Sequence, residues 1–379
     1  MKKIGIITFH NSYNCGSMLE SFAIQKYLTN QKIENEIIDF SNFGQRNMYS
    51  VLEKNTNIKK VIKNAITLLH YKKVKRNNQK YEEFKKKNFM LSDRDFVDSK
   101  DLSDDEYSIV VAGSDQIWNI TIPDADDAYF LPWVKKARKV AYAPSFGAKN
   151  IKVCSNDVDK YKRYLKSFDG LSTREYNGKK WIKDLIGEDV EVIIDPTLLL
   201  EKDEYDNILD DKIKVPEKYI FFYCPSFNTQ ICKFVKELSN NLNIPVITWS
   251  TKKYYLKGIN RFGFDLPEYE SPSAYLKLIK NAELVLTTSF HGTIFSTIYK
   301  KKFFTLKNGD MYGDDDRVYT LLDQLGIMNR LIECKYDEKF DYLQNVDYTE
   351  YDKNLPILKV KAKKYIKNNI EEYYNETGK

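Results

Sequence analysis

The stretch Ile4–Phe40, IGIITFHNSYNCGSMLESFAIQKYLTNQKIENEIIDF, decides the fold. Ile4-Gly5-Ile6-Ile7-Thr8-Phe9 is a short apolar run of the kind a sheet buries on both faces. A polar, turn-rich loop follows, Asn11-Ser12-Tyr13-Asn14-Cys15-Gly16-Ser17. From Met18 to Leu28, Leu19, Phe22, Ala23 and Tyr27 recur at helical spacing, and Glu36-Ile37-Ile38-Asp39-Phe40 reads as a second strand. Strand, helix and strand at this spacing form a βαβ unit, which builds a parallel sheet.

Working outward, the alternation continues. Residues 51–90 read as helical, with Ile58, Val61, Ile62, Ala65 and Leu69 on one face. Strands are predicted at Tyr107–Ala112, Lys139–Tyr142 and Glu191–Ile194, with helices at 157–168 and 176–185. The polar stretch 201–218 reads as a linker. Beyond it the alternation restarts: strands at Tyr219–Tyr223, Pro245–Trp249, Leu284–Thr287 and Phe303–Leu306, and helices at 228–241, Ser271–Asn281, 293–299 and 318–325. The fold class is therefore α/β, with two Rossmann-like domains facing a cleft. The first spans 1–200 and includes the basic helical segment 51–90. The second spans 219–350. The terminal segment 351–379 holds a helix, near 357–375, long enough to pack back across both. No internal repeat or low-complexity tract interrupts this pattern.

Composition agrees. At about 150 residues per domain, 379 residues make two domains. Hydrophobic residues at 42% and aromatics at 14% supply two cores and exclude a disordered chain. The net charge of +6 is weaker than most nucleic-acid binders show. The segment 71–90 holds eight Lys or Arg and two Glu, so its own +6 equals that of the whole chain. It reads as a solvated helix face; its functional reading is peripheral contact with an anionic membrane surface or a phosphate-linked acceptor. Five scattered cysteines do not form a disulfide framework and fit a reducing, cytoplasmic setting. The N-terminal apolar run is too short for a signal peptide, and no run of about 18 apolar residues exists to span a membrane.

In open α/β sheets, ligands bind beyond the carboxyl ends of the strands. Those segments here are Asn14-Cys15-Gly16-Ser17, Gly113-Ser114-Asp115-Gln116-Ile117-Trp118-Asn119, Ser145-Phe146-Gly147, Ser172-Thr173-Arg174-Glu175 and Thr288-Ser289-Phe290-His291-Gly292-Thr293. Small polar residues, Gly and single charges at helix starts suit anion binding. His291 stands between a strand and a helix start, and Gly292 beside it admits a ligand to the backbone. The imidazole suits proton transfer near neutral pH; the plainer reading is a buried His bonded to the backbone. Arg174 is either an ion pair with Glu175 or a fork for a carboxylate or phosphate. Asp115 is either a helix cap or a catalytic carboxylate. His10 follows the first strand and enters the cleft or serves a turn, and His70 stands on the basic surface. The clusters Asp124–Asp127 and Asp314–Asp316 read as acidic loops rather than a metal site. GxGxxG, Walker A and GxSxG motifs are absent, which counts against dinucleotide oxidoreductases, P-loop enzymes and serine hydrolases.

Taken in order, Asn14-Cys15-Gly16-Ser17-Met18-Leu19-Glu20-Ser21-Phe22-Ala23, Ala112–Asn119, Ser145-Phe146-Gly147, Ser172–Glu175, Ile194-Asp195-Pro196-Thr197 and Thr288–Thr293 resemble the polysaccharide pyruvyl transferase family, from residue 4 to about 327. The resemblance implies a fold like that of GT-B glycosyltransferases, with the acceptor on the N-terminal side and the donor on the C-terminal side. It implies transfer of a pyruvyl group from phosphoenolpyruvate to two hydroxyls of a sugar, in a surface polysaccharide or its lipid-linked precursor, with no cofactor and no metal. It makes His291, Arg174 and Asp115 the catalytic residues, with Asn14, Gly16, Ser17, Gly113, Ser114, Ser289, Gly292, Thr293 and Arg317 at the substrates. Several relatives carry Arg two positions before the His. Here that position is Ser289, and Arg317 or Lys302 would supply the charge. Two other readings stand beside this one: a GT-B-type glycosyltransferase with a nucleotide-sugar donor, and a non-catalytic glycan-assembly binding protein. The expected location is cytoplasmic, at the inner face of the membrane.

Overall fold

The structure is a computed structural model that describes residues 2–307 and 315–377. The opening βαβ unit is β1 (Lys3–Ile7), α1 (Cys15–Asn30) and β2 (Asn35–Ile37). Three helices follow, α2 (Phe43–Tyr49), α3 (Ile58–Leu69) and α4 (Tyr71–Asn88), before β3 (Tyr107–Ala112) and β4 (Arg138–Ala141). The strands pair in parallel in the order β2-β1-β3-β4. Ile4, Ile6 and Ile7 are fully buried. Elements cover both faces of this sheet, which is why its strands read as unbroken apolar runs.

α1 is longer than its apolar spacing predicts. The Asn14 side chain accepts from Gly16 N at 3.0 Å and starts the helix earlier. Glu20, Ser21 and Gln25 are buried together with Leu19, Phe22 and Ala23. The helix is enclosed on all sides because it runs between the first sheet and the helices of the second half.

The segment 51–90 is not one helix. His70 leaves helical geometry between α3 and α4. α4 turns Val74, Asn77, Tyr81 and Phe84 inward, so Lys72, Lys75, Lys86 and Lys87 lie on the outer face. α3 runs the other way round from its expected orientation: it buries Asn64 and Thr67 and leaves Ile58, Val61, Ile62 and Leu69 exposed.

After β4 come α5 (Ile151–Cys154), α6 (Val158–Lys166), β5 (Ser172–Thr173), α7 (Tyr176–Ile186) and β6 (Glu191–Val192). β5 pairs with β6 in parallel, and Gly170 just before β5 bridges to Val140 of β4. The stretch 201–218 is not a loose linker. It contains α8 (Lys202–Asp206), and Tyr205, Ile208 and Ile213 are buried. The Tyr205 ring meets Phe22 of α1 and, edge-on at 5.1 Å, Phe295, while its hydroxyl donates to the Thr197 carbonyl at 2.8 Å.

The second sheet is built from β7 (Ile220–Tyr223), α9 (Thr229–Leu242), β8 (Val246–Thr248), α10 (Thr251–Leu256), α11 (Pro272–Asn281), β9 (Leu284–Thr287), α12 (Phe290–Ile298), β10 (Phe303–Leu306), α13 (Arg317–Leu325) and β11 (Leu331–Ile332). All its pairings are parallel, in the order β11-β10-β9-β7-β8. The C-terminal segment, α14 (Thr349–Ile366) and α15 (Glu372–Thr377) joined by a wider turn, packs across both halves. At one end Tyr348 donates to the Lys301 carbonyl at 2.7 Å; further on, Tyr365 donates to the Ala141 carbonyl at 2.9 Å. The molecule is thus an α/β fold of two Rossmann-like halves, GT-B-like in plan.

Tyr205 joins the two halves, so its loss is felt by both. Tyr205→Ala is expected to lower unfolding stability by about 3–5 kcal/mol, and Tyr205→Phe, which removes only the hydroxyl, by about 1 kcal/mol. Urea denaturation measures both; equal effects would mean that the ring contributes nothing across the interface.

Candidate active site

In each sheet the chain reverses its direction of travel beside the first strand, leaving a crevice at the carboxyl ends. In the first sheet that crevice lies between β1 and β3, followed by the loops carrying Asn14 and Asp115. In the second it lies between β7 and β9, followed by Tyr223-Cys224-Pro225-Ser226 and Thr288-Ser289. The two crevices meet. A cavity of about 310 Å³ is lined by Asn14, Asp115, Gln116 and Arg174 from the first half and by Tyr223, Ser226, Ser289, Phe290, His291, Asp315 and Arg317 from the second. A more open hollow of about 540 Å³ beside Asn11, Asp39 and Arg46 lies on the first half alone.

Arg174 is buried at the floor of the shared cavity. Its Nη1 donates to Asp195 Oδ2 at 2.7 Å, its Nη2 lies 3.6 Å from Asp115 Oδ1, and its guanidinium sits 4.1 Å from the centre of the Phe290 ring. Its Nε lies 4.0 Å from Glu175 Oε2, an ion pair too long for a hydrogen bond. His291 Nε2 approaches Asp195 Oδ2 at 3.4 Å without forming an aligned hydrogen bond, so this nitrogen too is unpartnered. Unmet donors inside a protein cost roughly 1–3 kcal/mol each unless a ligand or water satisfies them. Burial alone would raise the Asp195 carboxyl, but the His291 ring, the Arg174 guanidinium and the Thr197 hydroxyl outweigh it and hold the group well below the usual carboxylate range.

The neighbouring acids are set differently. Glu175 accepts from the Ser145 hydroxyl at 2.8 Å and from Phe146 N at 2.9 Å. Burial pushes its carboxyl up to about 7 despite the pull of Arg174 and Arg317. Burial, with Asp195 and Asp115 nearby, raises Glu20 well above its ordinary value; it accepts from Ser114 N and from the Thr8 hydroxyl. Asp115 is fixed by the Ser17 hydroxyl, 2.5 Å from Oδ2, and by Gln116 N, 2.8 Å from Oδ1.

The residues singled out in the sequence separate into two sets. His291, Arg174, Asp115, Asn14, Ser289 and Arg317 line the cavity. Gly16 and Ser17 act one layer behind: a Cβ at Gly16 would stand 2.3 Å from His291 Nδ1, so only glycine lets α1 pass under the ring. Gly113, Ser114, Gly292 and Thr293 do not line it. Ser114 donates to the Ala143 carbonyl, and Thr293 bonds Thr305 and the Ser289 carbonyl. Gly292 gives room not to a ligand but to Thr287, whose Oγ1 would be 2.3 Å from an added Cβ.

α12 starts at Phe290, three residues before its predicted start, because Ser289 caps it by accepting from Gly292 N at 3.3 Å. His291 therefore stands in the first helical turn rather than in the loop. Arg317 reaches the cavity but is forked by Asp315, with Nε to Oδ1 at 2.7 Å. Lys302 pairs with Glu283 at 3.2 Å, just ahead of β10, at the amino ends of the strands and so at the opposite end of the sheet from the cavity. His10 is buried against Asp39 at 3.0 Å and lies outside the cavity, and His70 stacks on Tyr255. Asp126 caps a turn through Ala128 N, Asp127 pairs with Lys160 and Asp316 accepts from Asn177 N; Asp314 lies outside the described residues.

Sequence reasoning assigned no role to Asp195 or Phe290 and named Glu175 only as an ion-pair partner of Arg174, whose Nε lies 4.0 Å from Glu175 Oε2. Asp195 had a visible signal, an acid followed by Pro196 at the end of a strand in one of the quoted motifs. Phe290 and Glu175 flank the singled-out His and Arg, but only packing reveals what they do.

The profile of the family described as polysaccharide pyruvyl transferase matches residues 14–310. No curated protein matches the chain. Among solved structures, the MnaA–UDP structure from S. aureus is similar at 12% identity and a TM-score of 0.50, over 98% of this chain and 97% of that one. The UDP-GlcNAc 2-epimerase of Methanocaldococcus jannaschii gives 12% identity, 95% and 100% coverage and a TM-score of 0.47. The E. coli heptosyltransferase WaaC gives 10%, 94%, 99% and 0.40. At such identities the likeness to MnaA is one of fold. The family match spans both crevices and all of Asn14, Asp115, Arg174, Asp195 and His291, and on it the chain belongs to the polysaccharide pyruvyl transferase family.

Proposed function

We propose that this protein transfers the pyruvyl group of phosphoenolpyruvate to two hydroxyls of a sugar, in a surface polysaccharide or its lipid-linked precursor, in the cytoplasm at the inner face of the membrane. One observation carries the reading. A buried Arg from one half and a buried His from the other, both held against Asp195, line the same cavity at the meeting of two sheets.

The donor has a carboxylate and a phosphate. Arg174 takes one of them. The first turn of α12 and the Arg317 side chain receive the other, since free N–H groups at a helix start favour anions. Arg317 thereby supplies the charge that several relatives place at the position of Ser289. The reaction needs no resident cofactor or metal. One sugar hydroxyl adds to the enol carbon as the methylene carbon takes a proton. The second hydroxyl then displaces phosphate from the same carbon. The two hydroxyl protons end on the new methyl group and on phosphate. In this scheme His291 delivers or relays the proton, Asp195 orients its ring, and Asp115, held by Ser17, draws a proton from the attacking hydroxyl.

Two variants test the assignment. His291→Ala is expected to lower turnover by about 10²–10⁴ while the circular dichroism spectrum stays unchanged; near-normal turnover would sink the reading. Arg174→Lys keeps a charge at the floor but not the fork, and calorimetric titration should show phosphoenolpyruvate binding weakened by roughly tenfold or more. Titration of the unsubstituted protein with nucleotide sugars belongs beside it. Saturable binding of one of these, with none of phosphoenolpyruvate, would replace pyruvyl transfer by glycosyl transfer.

The acids behind the site set a pH dependence. Glu175 titrates at about 7 when folded, against 4.5 ordinarily, so the folded state keeps a proton that the unfolded chain has lost. The stability this contributes is full below the ordinary value and is lost as pH rises through about 7, some 3 kcal/mol in all. Denaturation midpoints followed from about pH 5 to pH 8 should fall. Glu175→Gln should flatten that slope, and an unchanged slope would show that the carboxyl is ionised throughout.

A further inference from the structure

α3 is an amphipathic helix built inside out. Asn64 and Thr67 face the protein. Asn64 accepts from Glu53 N at 3.0 Å and donates to Glu53 O and Asn55 Oδ1, both at 2.7 Å. The opposite face carries Ile58, Val61, Ile62, Leu68 and Leu69, exposed by 70%, 44%, 55%, 55% and 79%. At roughly 100° per residue these five fall on one stripe of the helix. A soluble surface does not ordinarily expose so continuous an apolar patch without a use for it.

The surrounding charge identifies the occupant. From Lys54 to Tyr81 the chain has nine Lys or Arg and not one Asp or Glu. Lys59, Lys60, Lys72 and Lys75 form no salt bridge among the described residues. A second copy of the patch would bring these uncompensated cations together. An anionic bilayer satisfies both halves of the surface at once, apolar side chains at the acyl boundary and lysines at the headgroups. No described helix is long and apolar enough to cross a membrane, so such contact would be peripheral.

We infer that the exposed face of α3 docks the protein on an anionic lipid surface, with α4 contributing charge but little apolar area. The inference stands on the helix and not on the donor chemistry. Docking also has a consequence for access. Lys63 of α3 lines a second cavity of about 220 Å³, with Tyr13, Tyr49, Trp249, Lys252 and Lys253, and that cavity shares Asn14, Tyr223 and Pro225 with the catalytic one. A membrane-held acceptor would enter beside α3.

The test is co-sedimentation of the full chain with phosphatidylcholine vesicles, with and without phosphatidylglycerol. Binding should require the anionic lipid and weaken as salt is raised. Ile58→Ser/Ile62→Ser/Leu69→Ser should cut the bound fraction by about tenfold. Lys59→Gln/Lys72→Gln/Lys75→Gln should remove the preference for the anionic lipid. These side chains are exposed, so thermal melts should match the unsubstituted protein. Equal sedimentation with and without vesicles overturns the inference. So does unchanged binding by both variants, and so does lipid-free dimerisation that the serine variant abolishes.

Discussion

One carboxylate oxygen organises the centre of this molecule. Asp195 Oδ2 receives Arg174 at 2.7 Å and faces His291 at 3.4 Å, and the acid is almost wholly removed from water. Taking charges out of water costs several kcal/mol per ion, and only close, well-directed partners offset it. Arg174 and Asp195 belong to the first half and His291 to the second. The contact therefore demands that two separate sheets be held in fixed relation. The apolar seam does this. α1 runs enclosed between the halves, Tyr205 touches both Phe22 and Phe295, and the C-terminal helices clamp the outside. The same demand explains Gly16, where even a methyl group would push into His291.

The site sits where it does because of topology rather than any single motif. Each parallel sheet opens a crevice where its strand order reverses, and helices start from those crevices with free N–H groups directed inward. Asn14 and Ser289 are the caps of two such helices, one from each half, and both line the cavity. Their side chains satisfy one backbone donor each and leave the approach polar but uncharged. Fixed charge then comes from Arg174 at the floor and Arg317 at the wall.

Much of this was legible in the sequence. The βαβ alternation is carried by apolar runs such as Ile4–Ile7 and Leu284–Thr287, whose burial is local enough to read. The residues after the strands could be named because in this architecture the position along a strand fixes the position in the cleft. What was not legible depends on through-space packing. The face of α3 has ideal helical periodicity, and nothing in the pattern says that Asn64 and Thr67, not Ile58 and Leu69, turn inward. The stretch 201–218 looks polar, yet Tyr205 within it is fully buried. Gly292 looked like ligand clearance and is clearance for Thr287. Asp195 sat in a quoted motif without a role; in the structure it caps the turn that follows, accepting from Thr197 N at 3.0 Å, while its other oxygen meets Arg174 from a separate strand.

The position of Ser289 shows how such a site tolerates change. What a doubly anionic ligand senses is positive potential at a place, and potential does not record which element supplies it. A serine at that position still caps α12, and so keeps the helix start, with its N–H groups, aimed at the cavity. Arg317 enters from the first turn of α13 on the neighbouring wall, held in place by the Asp315 fork and within 3.4 Å of Gln116 from the opposite half. That fork offsets part of the added charge. It also fixes a long, flexible side chain that would otherwise lose entropy when a ligand binds. Both cations are thus fixed in advance by carboxylates, Arg317 by Asp315 on the wall and Arg174 by Asp195 on the floor, and each gives up part of its charge to be held there.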